Sequence, residues 1–490
     1  MHRFLDLRST SVAPRRGLHA LPTLCALGAV LGISAAARAD DPRPNIVVAI
    51  ADDWSWPHAG AYGDRVVKTP AFDRVAAEGV LFTHAFCASP SCTPSRGAIL
   101  TGQAIHRLEN GGNLWSLLPE RFACYPDLLE ASGYVVGLTG KGWGPGTLEG
   151  SGRSRNPAGP AFPSFERFLE RVPGDKPFCY WFGSQDPHRP YDQGAGLRSG
   201  KKPEDVVVPP FLPDTPEVRG DILDYYGAVE RFDRAVAAIL QQLDARGLAA
   251  NTIVVVTSDN GMPFPRCKAN LYDSGTHMPL AIRWPARVKR VRTVDAFVGL
   301  ADLAPTFLEA AGQQPPPEMT GRSVLDLLRS GTTQAPRDRA FLERERHANV
   351  RRGDLSYPCR AVRTRDFLYI RNLRPDRWPA GDPTLYVAVG PFGDVDPSPS
   401  KDLILDRRGD PAFAEAFRMA FAKRPAEELY GLRDDPMQMK NIADDQRHAR
   451  DKAALRATLD RWMAETADPR VDPADDRWDR YPYVGEPAKK

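Results

Sequence analysis

Two uninterrupted apolar runs, each ending abruptly at acidic residues, constrain this chain most. Pro44-Asn45-Ile46-Val47-Val48-Ala49-Ile50 reads as a strand and stops at Asp52-Asp53. Thr252 to Thr257 reads as another and stops at Ser258-Asp259-Asn260-Gly261. Short apolar runs without polar alternation suit strands covered on both faces. Tyr134 to Thr139 and Phe178 to Phe182 repeat the pattern. Between them lie helical stretches: Thr69 to Val80, with Pro70 in its first turn, Tyr125 to Ala131, and Ile222 to Arg246, closed by Gly247. This alternation predicts an α/β fold on a doubly wound, mostly parallel sheet. Such sheets bind ligands beyond the carboxyl ends of their strands, which is where both acidic pairs fall.

The 490 residues are about twice what one hydrophobic core supports, so a second, smaller domain is expected. Gly312 to Arg339, with Pro315-Pro316-Pro317, reads as a crossing connection. The boundary is placed near residue 335, separating a catalytic domain at 40–335 from a C-terminal α+β domain at 336–490. There Cys359 to Arg371 and Thr384 to Val389 read as a short antiparallel sheet and Ala453 to Thr466 as a terminal helix. Asp468 to Lys490 reads as a poorly ordered or surface-wrapped tail.

Residues 1–39 read as an export signal. Arg15-Arg16 precede an apolar run from Leu21 to Ala37, and Ala37-Arg38-Ala39 forms a small-x-small cleavage pattern. Pro22 interrupts the run, which is short for a bilayer span, so no stable membrane span is expected after cleavage. The expected location is the periplasm or the outside of the cell. Five arginines and one aspartate give this segment +4 of the chain's +3, leaving the rest at −1. A mature chain so nearly neutral has no global field for gathering nucleic acid. Of seven cysteines, Cys25 lies in the signal. The other six show no CxxC spacing, which argues against a zinc knuckle and leaves one or two disulfides open.

The acidic pairs carry the first chemical signal. Asp52, Asp53, Asp259 and Asn260 follow two buried-type strands that in a parallel sheet face one crevice, and three carboxylates crowded together repel unless a cation joins them. All four are hard oxygen ligands, which favours Ca²⁺ or Mg²⁺ over zinc. The competing reading has each pair capping a helix or turn. The second signal is Cys92-Thr93-Pro94-Ser95-Arg96-Gly97. Thr93 and Pro94 read as a helix cap and first-turn residue, setting Cys92 at a helix N-terminus, where a thiol's pKa falls. Arg96 comes round one turn to the same side. A nucleophile and a guanidinium at an amide-rich helix end suit a tetrahedral oxyanion such as sulfate or phosphate.

Cys92-x-Pro94-Ser95-Arg96 followed by Leu100-Thr101-Gly102 resembles the signature of type I sulfatases. The remaining motifs keep that family's order: Asp52-Asp53, Gly140-Lys141, Asp186-Pro187-His188, Ser258-Asp259-Asn260-Gly261, Lys268, and Glu428-Leu429-Tyr430 with Asp434-Asp435-Pro436. The resemblance implies an alkaline phosphatase-like fold. It also implies that Cys92 is oxidised to formylglycine by a formylglycine-generating or anaerobic maturation enzyme. Asp52, Asp53, residue 92, Asp259 and Asn260 would then hold Ca²⁺, ahead of Mg²⁺. The hydrated aldehyde would attack sulfur, Arg96, Lys141 and Lys268 would neutralise sulfuryl charge, and His188 would serve the leaving atom. One departure stands out. The family usually has lysine-x-histidine where this chain has Lys141-Gly142-Trp143, which makes His106 or His277 the candidate replacement at the substrate. Asp186-Pro187-His188-Arg189 and Met262-Pro263-Phe264-Pro265 resemble the heparan N-sulfatase branch, implying an N-sulfated or O-sulfated saccharide substrate. Trp54 and Trp56, in a loop beside the first acidic pair, are the candidates for stacking on a sugar ring. Two alternatives remain: a phosphohydrolase of the same superfamily, and a catalytically silent sulfoglycan-binding protein.

Overall fold

The main sheet has eight strands in a computed structural model that describes residues 42–288, 291–330, 337–384 and 390–485. Its strands are β1 (Asn45–Ala51), β2 (Val80–Phe86), β3 (Val135–Gly140), β4 (Phe178–Gly183), β5 (Thr252–Ser258), β6 (His277–Arg283), β7 (Arg292–Val294) and β8 (Val298–Gly299). They run in the order β3-β4-β1-β5-β6-β2-β7, with β8 also on β2. The pairs β3·β4, β4·β1, β1·β5, β2·β7 and β2·β8 are parallel, whereas β6 is antiparallel to both neighbours. The fold is the mostly parallel, alkaline phosphatase-like one expected, with one reversed strand.

Both faces of β1 are buried, as its apolar run requires. Val47, Ala49 and Ala51 pack with helix Pro216–Ala245 and with α1 (Pro70–Ala77). Ile46, Val48 and Ile50 face the opposite layer, with Ile99 of α2 (Cys92–Thr101) and Phe307 of helix Leu303–Ala310. Each of these Val, Ile and Phe side chains contributes roughly 1.5–3 kcal/mol by leaving water. Helix Pro216–Ala245 starts earlier than the expected Ile222, because Pro216 occupies its first turn and the Thr215 hydroxyl accepts from Val218 N.

α1 stops at Ala77, and Val80, expected to close that helix, opens β2. Gly79 explains the break, since a Cβ there would lie 2.2 Å from the Ile282 carbonyl of β6. Both sheets lie within one unit, Arg43–Lys490. The second is antiparallel: β9 (Arg339–Arg344), β10 (Cys359–Thr364), β11 (Phe367–Asn372) and β12 (Glu427–Gly431), ordered β12-β11-β10-β9.

Over residues 468–485 the tail is anchored rather than loose. Trp478 is fully buried and donates to the Glu109 carbonyl at 3.1 Å, while Arg346 donates to the Tyr481 carbonyl at 3.0 Å. Cys87, Cys92, Cys124, Cys179, Cys267 and Cys359 are all free and buried, so the described residues hold no disulfide. No described helix is long and apolar enough to cross a membrane. The export segment, the boundary near 335 and most of the strand expected at Thr384 to Val389 lie outside the described residues.

Candidate active site

Strand register gathers the acidic pairs. Ala51 of β1 pairs with Ser258 of β5, so Asp52-Asp53 and Asp259-Asn260 leave the sheet side by side. Asp259 N donates to the Ala51 carbonyl at 3.1 Å, and Asp53 N donates to Asp259 Oδ1 at 3.2 Å. Asp53 sits at φ 77°, a left-handed conformation that costs an L-residue roughly 1–3 kcal/mol and clusters at functional sites. The ends of β3 and β4 deliver Lys141. Its N–H donates to the Gly183 carbonyl at 2.8 Å, and a Cβ on Gly183 would lie only 1.6 Å from the Lys141 carbonyl.

α2 delivers the nucleophile position. Cys92 is its first residue, with Ser91 in the capping place. Thr93, expected as the cap, is already helical, and its hydroxyl donates to the Pro145 carbonyl at 2.6 Å. The helix is fixed against β5 by Ser95 Oγ, which donates to the Asp259 carbonyl at 2.5 Å.

The resulting crevice is buried and densely charged. Cys92 Sγ lies 3.4 Å from Asp52 Oδ1 and 4.0 Å from Asp53 Oδ1. Lys141 Nζ donates to both Asp52 oxygens at 2.8 and 2.7 Å. Arg96 Nε donates to Asp259 Oδ2 at 2.7 Å, and its Nη1 to the Lys141 and Gly142 carbonyls at 2.8 and 3.2 Å. Lys268 Nζ reaches Asp53 Oδ2 at 2.7 Å. Burial alone would raise Asp52, but Lys141 and Arg96 outweigh it and hold the carboxyl well below its ordinary range. For Asp53 burial prevails over Lys268, and its carboxyl is raised. Burial likewise pushes the unmodified Cys92 thiol well up, overriding Lys141 and reversing the lowering expected at a helix N-terminus.

These residues fit a hard divalent cation. Asp52, Asp53, Asp259 and Cys92 bring ligand atoms within 4.8 Å of one another. Asn260 donates through Nδ2 to Asp53 Oδ1 at 2.7 Å, while its Oδ1 is buried without a partner among the described residues. An unmet buried acceptor costs about 1–3 kcal/mol. An oxygen-seeking cation would satisfy it and separate the carboxylates. Arg96 Nη2 is the matching unmet donor, buried, without a hydrogen bond among the described residues and held only by an ion pair with Asp52 Oδ1 at 3.8 Å.

His188 stands at the rim, about one-third exposed, with Nε2 3.8 Å from Asp53 Oδ2 and Nδ1 2.6 Å from the Arg189 carbonyl. The other aromatic and imidazole candidates are not brought into this cluster. Trp54 is buried against Phe72 and Phe232 and donates to the His58 carbonyl, so it offers no stacking face. His106 is buried with Nδ1 2.6 Å from Glu343 Oε2 and its ring edge-on to Trp462, which makes it part of the contact with the second sheet. His277 is sandwiched between Trp56 and Phe86, with Nε2 2.8 Å from the Thr83 carbonyl, and Trp56 is thereby occupied too. Trp143 is buried in the core layer that holds α2.

Two residues at the cluster carried no signal in the sequence reading. Asp396 Oδ2 lies 3.2 Å from Lys268 Nζ, and His347 Nδ1 lies 2.8 Å from Ser91 Oγ at the start of α2. Both come from loops around the second sheet, far from any strand-end motif. Burial would raise Asp396, but Lys268 and then His188 bring it down to about 2.

Comparison with known proteins agrees with this geometry. The family model described as Sulfatase matches residues 44–147 and 160–313, and one described as N-sulphoglucosamine sulphohydrolase, C-terminal, matches 267–382. The chain is 31% identical to human N-sulphoglucosamine sulphohydrolase, over 92% of this chain and 95% of that one. It is 28% identical to an ulvan-active sulfatase of Formosa agariphila, over 87% and 76% of the two chains. Among solved structures, BT4656 in complex with its substrate D-glucosamine-2-N,6-O-disulfate superposes with a TM-score of 0.63. It covers 88% of this chain and 99% of that one at 20% identity, a likeness of fold alone. On matches of this extent, the chain belongs to the sulfatase family and is an enzyme that releases sulfate by hydrolysis.

Proposed function

We propose that this chain is an exported sulfatase that removes sulfate from sulfated saccharides, N-sulfated glucosamine foremost, using formylglycine made from Cys92 and a bound Ca²⁺. The observation that carries the reading is the seating of Cys92, first in its helix and buried between Asp52 and Asp53 beside an unmet Asn260 Oδ1. The choice of substrate is supported by the human relative and by the match at 267–382. Export is supported by the pattern of residues 1–39.

Asp52, Asp53, Asp259 and Asn260 would hold Ca²⁺, which supplies positive charge at the sulfuryl oxygens. Formylglycine, as its hydrate, supplies an oxygen nucleophile at position 92. The chain's own residues orient the rest. Arg96 is locked by Asp259 and two carbonyls, so its remaining Nη2 is preset to donate to a sulfuryl oxygen. Lys141 and Lys268 put two further cations on the crevice walls. His188 Nδ1 is committed to the Arg189 carbonyl, leaving Nε2 to protonate the leaving atom. Trp143 offers only an N–H donor where the family usually has an imidazole, so no base stands there.

Sulfate release from N-sulfoglucosamine and from O-sulfated sugars tests this, using enzyme co-expressed with a maturation enzyme. N-sulfoglucosamine should be the faster substrate, and Cys92→Ala or chelation should abolish release. Turnover of O-sulfates alone would overturn the substrate assignment, and full activity in Cys92→Ala would overturn the nucleophile.

A further inference from the structure

Asp396 is a rim carboxylate that none of the family motifs assigns. It lies on the loop preceding helix Pro399–Asp406, and that loop is rigidly held. Lys401 Nζ donates to the Phe392 and Val395 carbonyls at 3.1 and 2.7 Å, and the neighbouring Asp394 is buried between Arg344, at 2.6 Å, and Arg351. Asp396 therefore stands where the fold puts it. Lys268 bridges it to the floor of the site, at 3.2 Å from Asp396 and 2.7 Å from Asp53. Asp53, His188 and Asp396 bring polar atoms within 4.8 Å of one another. Exposure of the side chains rises from 0% at Asp53 to 24% at Asp396 and 34% at His188, so the last two share the opening.

A carboxylate there is a poor partner for the sulfuryl group. It has no proton to donate and repels like charge. Its use must lie with another part of the substrate, and its neighbour His188 faces the leaving atom. In an N-sulfated sugar that atom is nitrogen. As sulfur gains a bond to the nucleophilic oxygen, that oxygen gives up its proton to solvent, the S–N bond breaks and its electron pair goes to nitrogen. Nitrogen takes one proton from His188, and a further proton from water turns the free amine into an ammonium. An O-sulfate leaves a neutral hydroxyl instead.

We propose that Asp396 is a specificity-determining residue that receives the departing amine of an N-sulfated sugar, through the charge-assisted hydrogen bond that its position beside His188 and Lys268 allows. This rests on the N-sulfate reading above and deepens it. A hydrogen bond to a charged group is strong enough to discriminate roughly tenfold to a hundredfold.

The test compares matured wild type with Asp396→Asn and Asp396→Ala, after thermal melts establish that all three are folded. The readouts are kcat/KM on N-sulfoglucosamine, and inhibition of that reaction by glucosamine and by N-acetylglucosamine. Wild type should be inhibited at least about tenfold better by glucosamine. Asp396→Asn should lose that preference together with a similar factor in kcat/KM. A preference that persists in both variants, or is absent from wild type, overturns the role of Asp396 while leaving the N-sulfate reading intact. A wild type that releases sulfate from O-sulfated sugars but none from N-sulfoglucosamine overturns the reading itself, and the inference with it.

Discussion

Arg96 shows how one side chain ties the site together. Fully buried, it neutralises Asp259, fixes the Lys141 turn through two carbonyls and keeps one nitrogen unspent. Replacing it strands a buried carboxylate, so Arg96→Ala should cost about 3–5 kcal/mol in a denaturation experiment. Losing a preset donor should lower kcat by roughly 100- to 1000-fold. Arg96→Lys should recover little, because a lysine cannot reproduce the fork of donors. At this scale much of the cluster was legible. Asp52, Asp53, Asp259 and Asn260 follow strand ends, and Cys92 and Arg96 share one helical turn, so local pattern sufficed. Asp396 and His347 were not legible, because folding of the distant second sheet brings them in and no local pattern marks them. His106 and His277 misled for the opposite reason: an imidazole near a motif in sequence is as readily a packed side chain.

Between elements, close backbone approach fixes the geometry. Gly183 leaves no room for a side chain against the Lys141 carbonyl. Gly183→Ala should push the ends of β3 and β4 apart, and displacing Lys141 by about 1 Å should lower kcat/KM by about 100-fold, measured at saturating Ca²⁺. The tail acts as a strap rather than an appendage. Trp478→Ala should destabilise the protein by about 3–5 kcal/mol, read from its denaturant midpoint, since it empties a fully buried indole site. Buried strands and long helices were readable from apolar runs, whereas β2 was hidden because Val80 also continues the helical periodicity of α1. The close approach of β6 at Gly79, which leaves no room for a side chain there, lies between the two.

For the whole molecule, buried neutral histidines make the fold acid-sensitive. Burial drives His277 down to about 4, against the pull of Asp273, and drives His347 down to about 3. An unfolded imidazole titrates near 6.5, so below that pH the unfolded chain binds protons that the native one refuses. The stability these two contribute is therefore complete above about pH 6.5 and is lost as pH falls towards 4, His277 accounting for about 3 kcal/mol of it. Urea denaturation at stepped pH should show this slope, and His277→Phe should flatten it. A slope unchanged by the substitution would contradict the assignment.

Catalysis as proposed turns on residue 92 working as an aldehyde although the gene encodes a thiol. Intact mass of the proteolytic peptide spanning Cys92, from protein co-expressed with a maturation enzyme, tests it most directly. The expected peptide is lighter by the exchange of H₂S for oxygen and reacts with a hydrazide. A peptide of unaltered mass that alkylates as a free thiol, from protein that still releases sulfate, would contradict it.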